Sequence, residues 1–373
     1  MKKIYLASVF MSIILLVSGC KNDIKENNSD SRDKQNSNLY ATHFTITNRD
    51  NYSVLSINNG QYTYVLQKDG AIIPDSLRHF PVIQVPLNNI IVASTTHLSG
   101  LEMLGVSDKL IAFPNTKYIS SELFRQAIEK GKIEEIGNGM QLNTEKVLAL
   151  HPRLLMVSSM GRDQKNDKIF TQHNIPVLYN ADWLEKSPLG RAEWLKVFGV
   201  LFDKKQLSDS LFNQIVQNYK EVQKKSKSGL HPLVFQGGQF GDKWFVPGGK
   251  SYAVKLINDA GGRYIWQDNK NTGSINLNYE NVLLQLPQVD VWLNPGMIEN
   301  KTQLEKEIPQ SKNFAAFKNN RIYSYNLTKG KTGGVIYFES SNAHPDWVLD
   351  DLYHIFNPDK NSDYNFHFYK ELP

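Results

Sequence analysis

The sequence predicts an α/β protein of two lobes, each a mainly parallel sheet flanked by helices. A long rigid α-helix joins the lobes, and extra antiparallel strands precede them. Three observations predict it. Short apolar runs alternate with helical stretches in two separate sets, and strands buried on both faces with helical crossovers read this way. Between the sets lies a segment of about 35 residues with helical spacing. One phrase recurs 135 residues further along the chain, and an internal repeat outweighs any single motif.

The 373-residue chain opens with Lys2 and Lys3, then an apolar stretch from Ile4 to Val17. At about 14 residues it is too short to span a bilayer permanently and fits a signal peptide over residues 1–19. It ends in Val17-Ser18-Gly19-Cys20. Small residues before a cysteine resemble the bacterial lipobox, so Cys20, the only cysteine in the chain, is expected to be lipidated and to anchor the protein to a membrane. With one cysteine no internal disulfide can form, and an exported fold must rest on its core. Residues 20–38, rich in Asn, Asp, Ser, Lys and Glu, read as a disordered tether. The net charge is +5 and dispersed. Its one cluster, Lys224, Lys225 and Lys227, reads as a solvated helix end, so no nucleic-acid partner is expected.

Residues 39–181 form the expected N-terminal lobe. Alternation through Phe44, Ile46, Tyr52, Val54, Tyr62 and Tyr64, punctuated by Asn58-Asn59-Gly60 and Asp69-Gly70, predicts two or three antiparallel strands. Apolar runs at Ile90–Ala93, Leu110–Phe113, Leu154–Val157 and Pro176–Tyr179 then alternate with helical stretches. Residues 182–228 are the expected connecting helix, capped by Ser187 with Pro188 at its first position and interrupted near Asp203. Residues 229–373 repeat the pattern: strands at Leu233–Phe235, Val289–Leu293 and Arg321–Tyr323, a Gly-rich loop, and helices at Tyr252–Ala260 and Pro345–Phe356. Glu185, Arg191 and Glu193 read as a salt-bridge cluster at the start of the connector.

The repeated phrase is Leu142-Asn143-Thr144-Glu145-Lys146-Val147-Leu148, matched by Leu277-Asn278-Tyr279-Glu280-Asn281-Val282-Leu283, with Pro152 matching Pro287. Each Asn can cap a helix, and each Glu falls in the first turn, where the helix dipole favours a carboxylate. In two lobes related by a pseudo-two-fold, Glu145 and Glu280 emerge at one pole and suit a symmetric partner carrying two basic clusters.

Further phrases carry a family resemblance: Ile91-Val92-Ala93-Ser94-Thr95-Thr96-His97, Leu101-Glu102-Met103-Leu104-Gly105, Glu145 to Pro152, Gly237-Gly238, Trp244, Pro247-Gly248-Gly249, Asp259-Ala260-Gly261-Gly262 and His344-Pro345-Asp346. In this order the chain resembles a class III periplasmic binding protein of ABC importers, of the iron-siderophore, cobalamin and haem group. The resemblance covers residues 80–358, with an Fe/B12-type binding domain expected over about 85–360. Pro188-Leu189-Gly190-Arg191-Ala192-Glu193-Trp194 is similar to a phrase of Bacteroidetes-type lipoprotein members. The resemblance implies a ligand held between two lobes with little hinge motion, and no cofactor of the protein's own. The implied ligand is a ferric siderophore first, then a corrinoid or haem. The implied partner is a permease dimer with its ATPase, docked through Glu145 and Glu280. The implied place is the periplasmic face of the inner membrane.

Ligands of parallel α/β lobes bind at the carboxyl ends of strands. That rule selects Thr95, Thr96, His97, Tyr118, Ser159 and Arg162 in the first lobe. In the second it selects Gln239, Trp244, Gly249, Tyr252 and Met297. Tyr118 and Trp244 are placed to lie against a flat ligand, and Arg162 to pair with an anionic siderophore. Trp244 packing beneath the Gly-rich turn, and Gly249 serving only a tight turn, are the structural alternatives. A Zn- or Mn-binding receptor is the weaker rival, since no second His accompanies His97 at a matching position and no metal site is expected. No nucleophilic Cys, Gly-x-Ser-x-Gly elbow, His-Glu-x-x-His or complete P-loop is present, so an enzyme is not expected and no catalytic residue is assigned.

Overall fold

Alternating residues at the N-terminus fold into a sheet of their own. Lys34–Asn36 (β1), Phe44–Asn48 (β2), Tyr52–Ile57 (β3) and Tyr62–Lys68 (β4) pair antiparallel, and Val82–Val85 (β5) adds parallel to β4. The β3–β4 turn carries Asn58, Asn59 and Gly60 at φ 51°, 56° and 85°, the left-handed region that Asn and Gly enter most readily. The computed structural model describes residues 34–36, 38–138, 141–159, 167–358 and 363–373. Cys20, the signal peptide, most of the tether and Arg162 lie outside the described residues. The strand β1, within the stretch read as the tether, pairs with residues 46–48.

In the first lobe Ile90–Val92 (β6), Leu110–Phe113 (β7) and Glu134–Glu135 (β8) are followed by the hairpin strands Gly137–Asn138 (β9) and Gln141–Leu142 (β10). Leu155–Ser158 (β11) and Val177–Asn180 (β12) complete the set. Five of these form a parallel sheet in the order β12-β11-β6-β7-β8. Leu98–Met103 (α1), Glu122–Glu129 (α2), Thr144–Leu150 (α3) and Lys168–Gln172 (α4) are the intervening helices. Strand periodicity divides the apolar residues between two faces. Ile90, Val92, Leu154 and Met156 pack with the N-terminal sheet, while Ile91, Leu155 and Val157 pack with Val147 of α3 and Phe170 of α4.

The connector consists of three helices, Pro188–Glu193 (α5), Leu195–Leu201 (α6) and Lys205–Ser226 (α7). The long helix expected from the sequence is α7, of 22 residues. Breaks fall at Trp194 and at 202–204, where Asp203 has φ 53°. Leu189 and Ala192 of α5 and Phe212 and Tyr219 of α7 lie in the second lobe's core, whereas Val197, Phe198 and Leu201 of α6 lie in the first lobe's. The zigzag therefore stitches two cores together.

The second lobe begins with Leu233–Gln236 (β13), followed by Gly238–Phe240 (β14), Lys243–Pro247 (β15), Tyr252–Asp259 (α8) and Arg263–Tyr264 (β16). Ser274–Asn278 (β17), Tyr279–Leu283 (α9), Val291–Leu293 (β18), Lys301–Glu307 (α10), Ala315–Lys318 (α11) and Ile322–Ser324 (β19) come next. Ile336–Ser340 (α12), Pro345–Phe356 (α13) and Lys370–Glu371 (β20) end the chain. Its main sheet runs β16-β13-β18-β19-β20, parallel but for β20. The stretch read as a Gly-rich loop is instead a small antiparallel sheet, β14-β15-β17.

Two buried carboxylates fix the N-terminal sheet to the connector. Glu193 accepts from the backbone N–H groups of Leu39, Tyr40 and Ala41 at 2.8–3.0 Å. Glu185 accepts from those of Thr42 and His43, and from Trp194 Nε1. The expected salt-bridge cluster is not what forms. Residues 191 and 193 project from a helix about 200° apart, so Glu193 turns to residues 39–41 and to Lys196 at 2.8 Å, while Arg191 turns away. Glu193→Ala is expected to lower stability by about 3 kcal/mol or more, since three N–H groups and a cation lose their acceptor in a dry site. Urea denaturation checks this, and an unchanged midpoint would contradict it.

Candidate functional site

The second-lobe sheet ends its strands at Gln236, Leu293 and Ser324, and the loops beyond them diverge. Between them and the small antiparallel sheet lies a cavity of about 410 Å³. Its floor holds Gly237, Gly238, Asn294 and Gly296, and one side is the first turn of α8 with Ser251, Tyr252 and Ala253. The close approach at the floor requires glycine: a Cβ on Gly238 would stand 2.7 Å from the Gly296 nitrogen. Arg191 reaches in from the connector. Its guanidinium lies 4.0 Å over the Tyr252 ring, a cation–π contact, and donates to the Glu185 and Trp183 carbonyls and to Asn342 Oδ1 at 3.2–3.3 Å. It also borders a small space of about 20 Å³ between the lobes, with Thr96, Asn180, Asp182 and Asn342.

The cavity takes up one of the residues selected from strand ends, Tyr252, together with Gly237, Gly238, Pro247, Gly296 and Asn326 from the same loops. The remaining selected positions divide into neighbours and corrections. Thr96 lines the small interlobe space, its Oγ1 2.9 Å from Ser94 Oγ. Thr95 Oγ1 donates to the Phe338 carbonyl of the second lobe. Ser159 Oγ accepts from Trp183 Nε1 at 2.9 Å. Gln239 Nε2 donates to the Gly241 carbonyl in its own hairpin. Tyr118 and Met297 are exposed, at 50% and 76%, and neither is among the cavity residues.

Three positions are corrected. Trp244 has no exposed surface and packs against Phe235, Trp292 and Tyr279, because the alternation of β15 sends it into the core. Gly249 lies where a Cβ would be 2.4 Å from the Asn269 carbonyl oxygen, so it serves chain packing. His97 is wholly buried near Phe198, with a ring-centre distance of 6.5 Å. Neither of its nitrogens has a hydrogen-bond partner among the described residues, and burial pulls its pKa down to about 3. It is a neutral core ring.

Sequence reasoning missed Arg191, Asn294 and Tyr325 as cavity residues. The signal for Arg191 was its phase: a lone cation two positions from an acid cannot share that acid's face.

Second-lobe residues also close over the first lobe. Glu339 of α12 is buried, and its carboxylate accepts from the backbone N–H groups of Ser120 and Ser121 at the start of α2. Burial raises its pKa despite those bonds. Ser99 Oγ donates to the Glu339 carbonyl at 2.8 Å, and Lys331 pairs with Glu122 at 2.7 Å. Among the described residues no group of three or more His, Cys, Asp or Glu could hold a metal ion, and no helix is long and apolar enough to cross a membrane.

A family model described as periplasmic binding protein matches residues 90–326. The chain belongs to the periplasmic binding protein family. An uncharacterized lipoprotein of Methanocaldococcus jannaschii is 28% identical over 286 residues, covering 72% of this chain and 68% of that protein. A periplasmic heme binding protein from Pseudomonas aeruginosa is similar with a TM-score of 0.59, at 17% identity, over 77% of this chain and 98% of that one. The periplasmic vitamin B12 binding protein of Vibrio cholerae aligns with a TM-score of 0.53, at 14% identity, over 73% of this chain and 97% of that one.

As a member of that family, the chain is a substrate-binding protein and not an enzyme. The family match starts at β6, so the N-terminal sheet lies outside it. The match contains both copies of the repeated phrase. Asn143 caps α3 by accepting from Lys146 N at 3.0 Å, whereas Asn278 begins α9 without such a bond. Glu145 and Glu280 are exposed in the first turns, and neither forms an ion pair with another described residue.

The buried His97 gives a pH test. Its folded pKa, about 3, lies below the ordinary value near 6.5. The unfolded chain therefore binds the extra proton, and stability falls as pH drops from about 6.5 towards 3. His97→Leu is expected to shallow that fall by up to about 1.4 kcal/mol per pH unit. Urea midpoints at pH 7, 5.5 and 4.5 check it, and parallel curves for the two proteins would count against it.

Proposed function

We propose that this protein captures an iron-siderophore complex between its lobes and delivers it to a membrane permease with its ATPase, from a lipid anchor at Cys20 on the periplasmic face of the inner membrane. The cavity at the carboxyl edge of the second-lobe strands carries this reading. It is roomy and it borders the interlobe space through Arg191. A corrinoid or haem is the alternative cargo, supported by neighbours named for vitamin B12 and heme. A neighbour named as an Fe3+-hydroxamate transport system component supports the siderophore. The relative named as a lipoprotein supports the anchor.

Protein isolated from its native host should carry a visible chromophore, and siderophore, corrin and porphyrin spectra are distinct. A colourless protein that also gives no heat with any of the three ligand classes in calorimetry would refute the cargo reading.

Glu145 and Glu280 are the proposed docking pair. Lys146 Nζ donates to the Glu135 carbonyl at 2.9 Å, which sets the start of α3 at the carboxyl end of β8. The start of α9 follows β17 of the small sheet, where Asn278 pairs with Lys243 at the tip of the β14–β15 hairpin. Glu145→Ala with Glu280→Ala is expected to abolish uptake of labelled ligand by cells while calorimetric affinity stays within about twofold, since rim charges act on partner docking. Uptake persisting in the double variant would remove the docking role.

A further inference from the structure

We propose that residues 328–343, the segment around α12, are a releasable strap. Seated, they fill the ligand edge of the first lobe and hold a cargo off it. They part from that edge before a cargo touches both lobes. The proposal deepens the transport reading and rests on it for the cargo that enters.

Ligands of parallel α/β lobes meet the carboxyl ends of strands. In the first lobe the ends of β6 and β7 lead into residues 95–99 and 116–121. Polar groups of both loops are already taken by the second lobe. Thr95 Oγ1 and Ser99 Oγ donate to the carbonyls of Phe338 and Glu339, at 3.3 and 2.8 Å. The Glu339 carboxylate accepts from the Ser120 and Ser121 N–H groups. Ser120 Oγ donates to the Gly334 carbonyl at 2.9 Å, and Thr332 Oγ1 to that of Lys117 at 2.7 Å. A cargo that touches both lobes must displace these bonds.

The seat is tight but weakly apolar. A Cβ on Gly334 would stand 2.2 Å from the Tyr118 carbonyl oxygen, and one on Gly330 2.8 Å from Ser120 Cα. Yet residues 328–335, Thr-Lys-Gly-Lys-Thr-Gly-Gly-Val, carry a single apolar side chain. Water replaces polar bonds at little net cost, and segments held mainly by such bonds open before the core does. Burial also disfavours the charge of Glu339 in its seat.

Release turns about a fixed point. Tyr337 of α12 stacks on Tyr325 with ring centres 4.0 Å apart, and meets Phe368 and Tyr369 edge-on, so α12 stays with the second lobe. Tyr325 itself lines the cavity. A ligand seated on Tyr325 is therefore one ring away from the helix that covers the first lobe.

Hydrogen exchange in the full-length, ligand-free protein tests release. The Ser120 and Ser121 amides are expected to exchange through a local opening, well before the global unfolding that exposes the Ile91 amide, which is bonded to the Leu154 carbonyl. Glu339→Gln takes away half of the acceptor, and Gly334→Ala pushes the strap off Tyr118. Each should speed exchange at 120 and 121 at least about tenfold and leave Ile91 unchanged.

Haemin, cyanocobalamin and a ferric trihydroxamate are the binding probes, read by tryptophan fluorescence. Apparent affinity scales with the open fraction, so both variants should bind whichever probe the wild type binds tighter by about the factor that exchange shows. Lys331→Cys with Glu122→Cys, bridged by a short bis-maleimide in a Cys20→Ala chain, should weaken that binding at least about tenfold. Exchange at 120 and 121 only with global unfolding would overturn the strap. Variants that bind the probe equally or more weakly would overturn it too, since the segment would then be part of the grip. Local opening with no probe bound by the wild type or either variant would uphold release and overturn the chelate cargo.

Discussion

The fold turns on how two carboxylates are spent. Glu185 and Glu193 are buried, yet their bonds run to backbone N–H groups of residues 39–43 and to Trp194, and only Lys196 adds an ion pair. A chain entering a sheet must satisfy each buried amide, and residues 39–43 have no strand partner to do so. The connector supplies the acceptors. This one contact orients the N-terminal sheet against α6 and lets Tyr64 accept from the Tyr179 N–H at 3.1 Å, closing the first lobe's edge at β12. It also settles Arg191. With both acids committed to the N-terminal segment, the guanidinium is free to face the other lobe and lie on Tyr252.

The lobes meet through a second set of contacts with the same logic. The segment around α12 leaves the second lobe and seats Glu339 on the amides that begin α2, where the orphan N–H groups of a helix start accept a carboxylate well. Ser99 and Thr332 add neutral bonds across the same boundary. Such bonds are directional and short, so they hold one lobe arrangement with little apolar surface. The three connector helices, alternating between the two cores, restrict the remaining freedom.

Much of this was legible in the chain. Strands β6, β7, β11 and β13 fall within a residue or so of their apolar runs, and α13 matches Pro345–Phe356, because period and length leave few alternatives for buried runs. The second-lobe loops were found by the strand-end rule. What the rule could not give is direction. His97 and Trp244 both sit where a ligand contact is plausible, and each turns inward, since a strand end offers both faces and sequence alone does not say which one the neighbouring element covers. Gly249 looked like a binding turn, but the atoms that demand glycine belong to residues 266–269, distant in the chain. The small sheet β14-β15-β17 was hidden by its glycines, which weaken any strand pattern. Arg191 was misjudged by adjacency in sequence, where helix phase decides.

The repeat and the cavity obey opposite symmetries, and that difference organises the molecule. The repeated phrase gives each lobe a short helix with an exposed acid in its first turn, and it leads each time into an inner strand of the sheet, β11 or β18. Duplicated elements suit a partner that is itself duplicated. The cavity is built from the second lobe and Arg191 alone among the described residues, while the corresponding loops of the first lobe, at 95–99 and 116–121, are engaged by the α12 segment. An asymmetric ligand needs no duplicated site. Cavity residues such as Asn294 and Tyr252 can therefore change to suit a cargo without disturbing Glu145 or Glu280, because their side chains belong to different elements and share no contact.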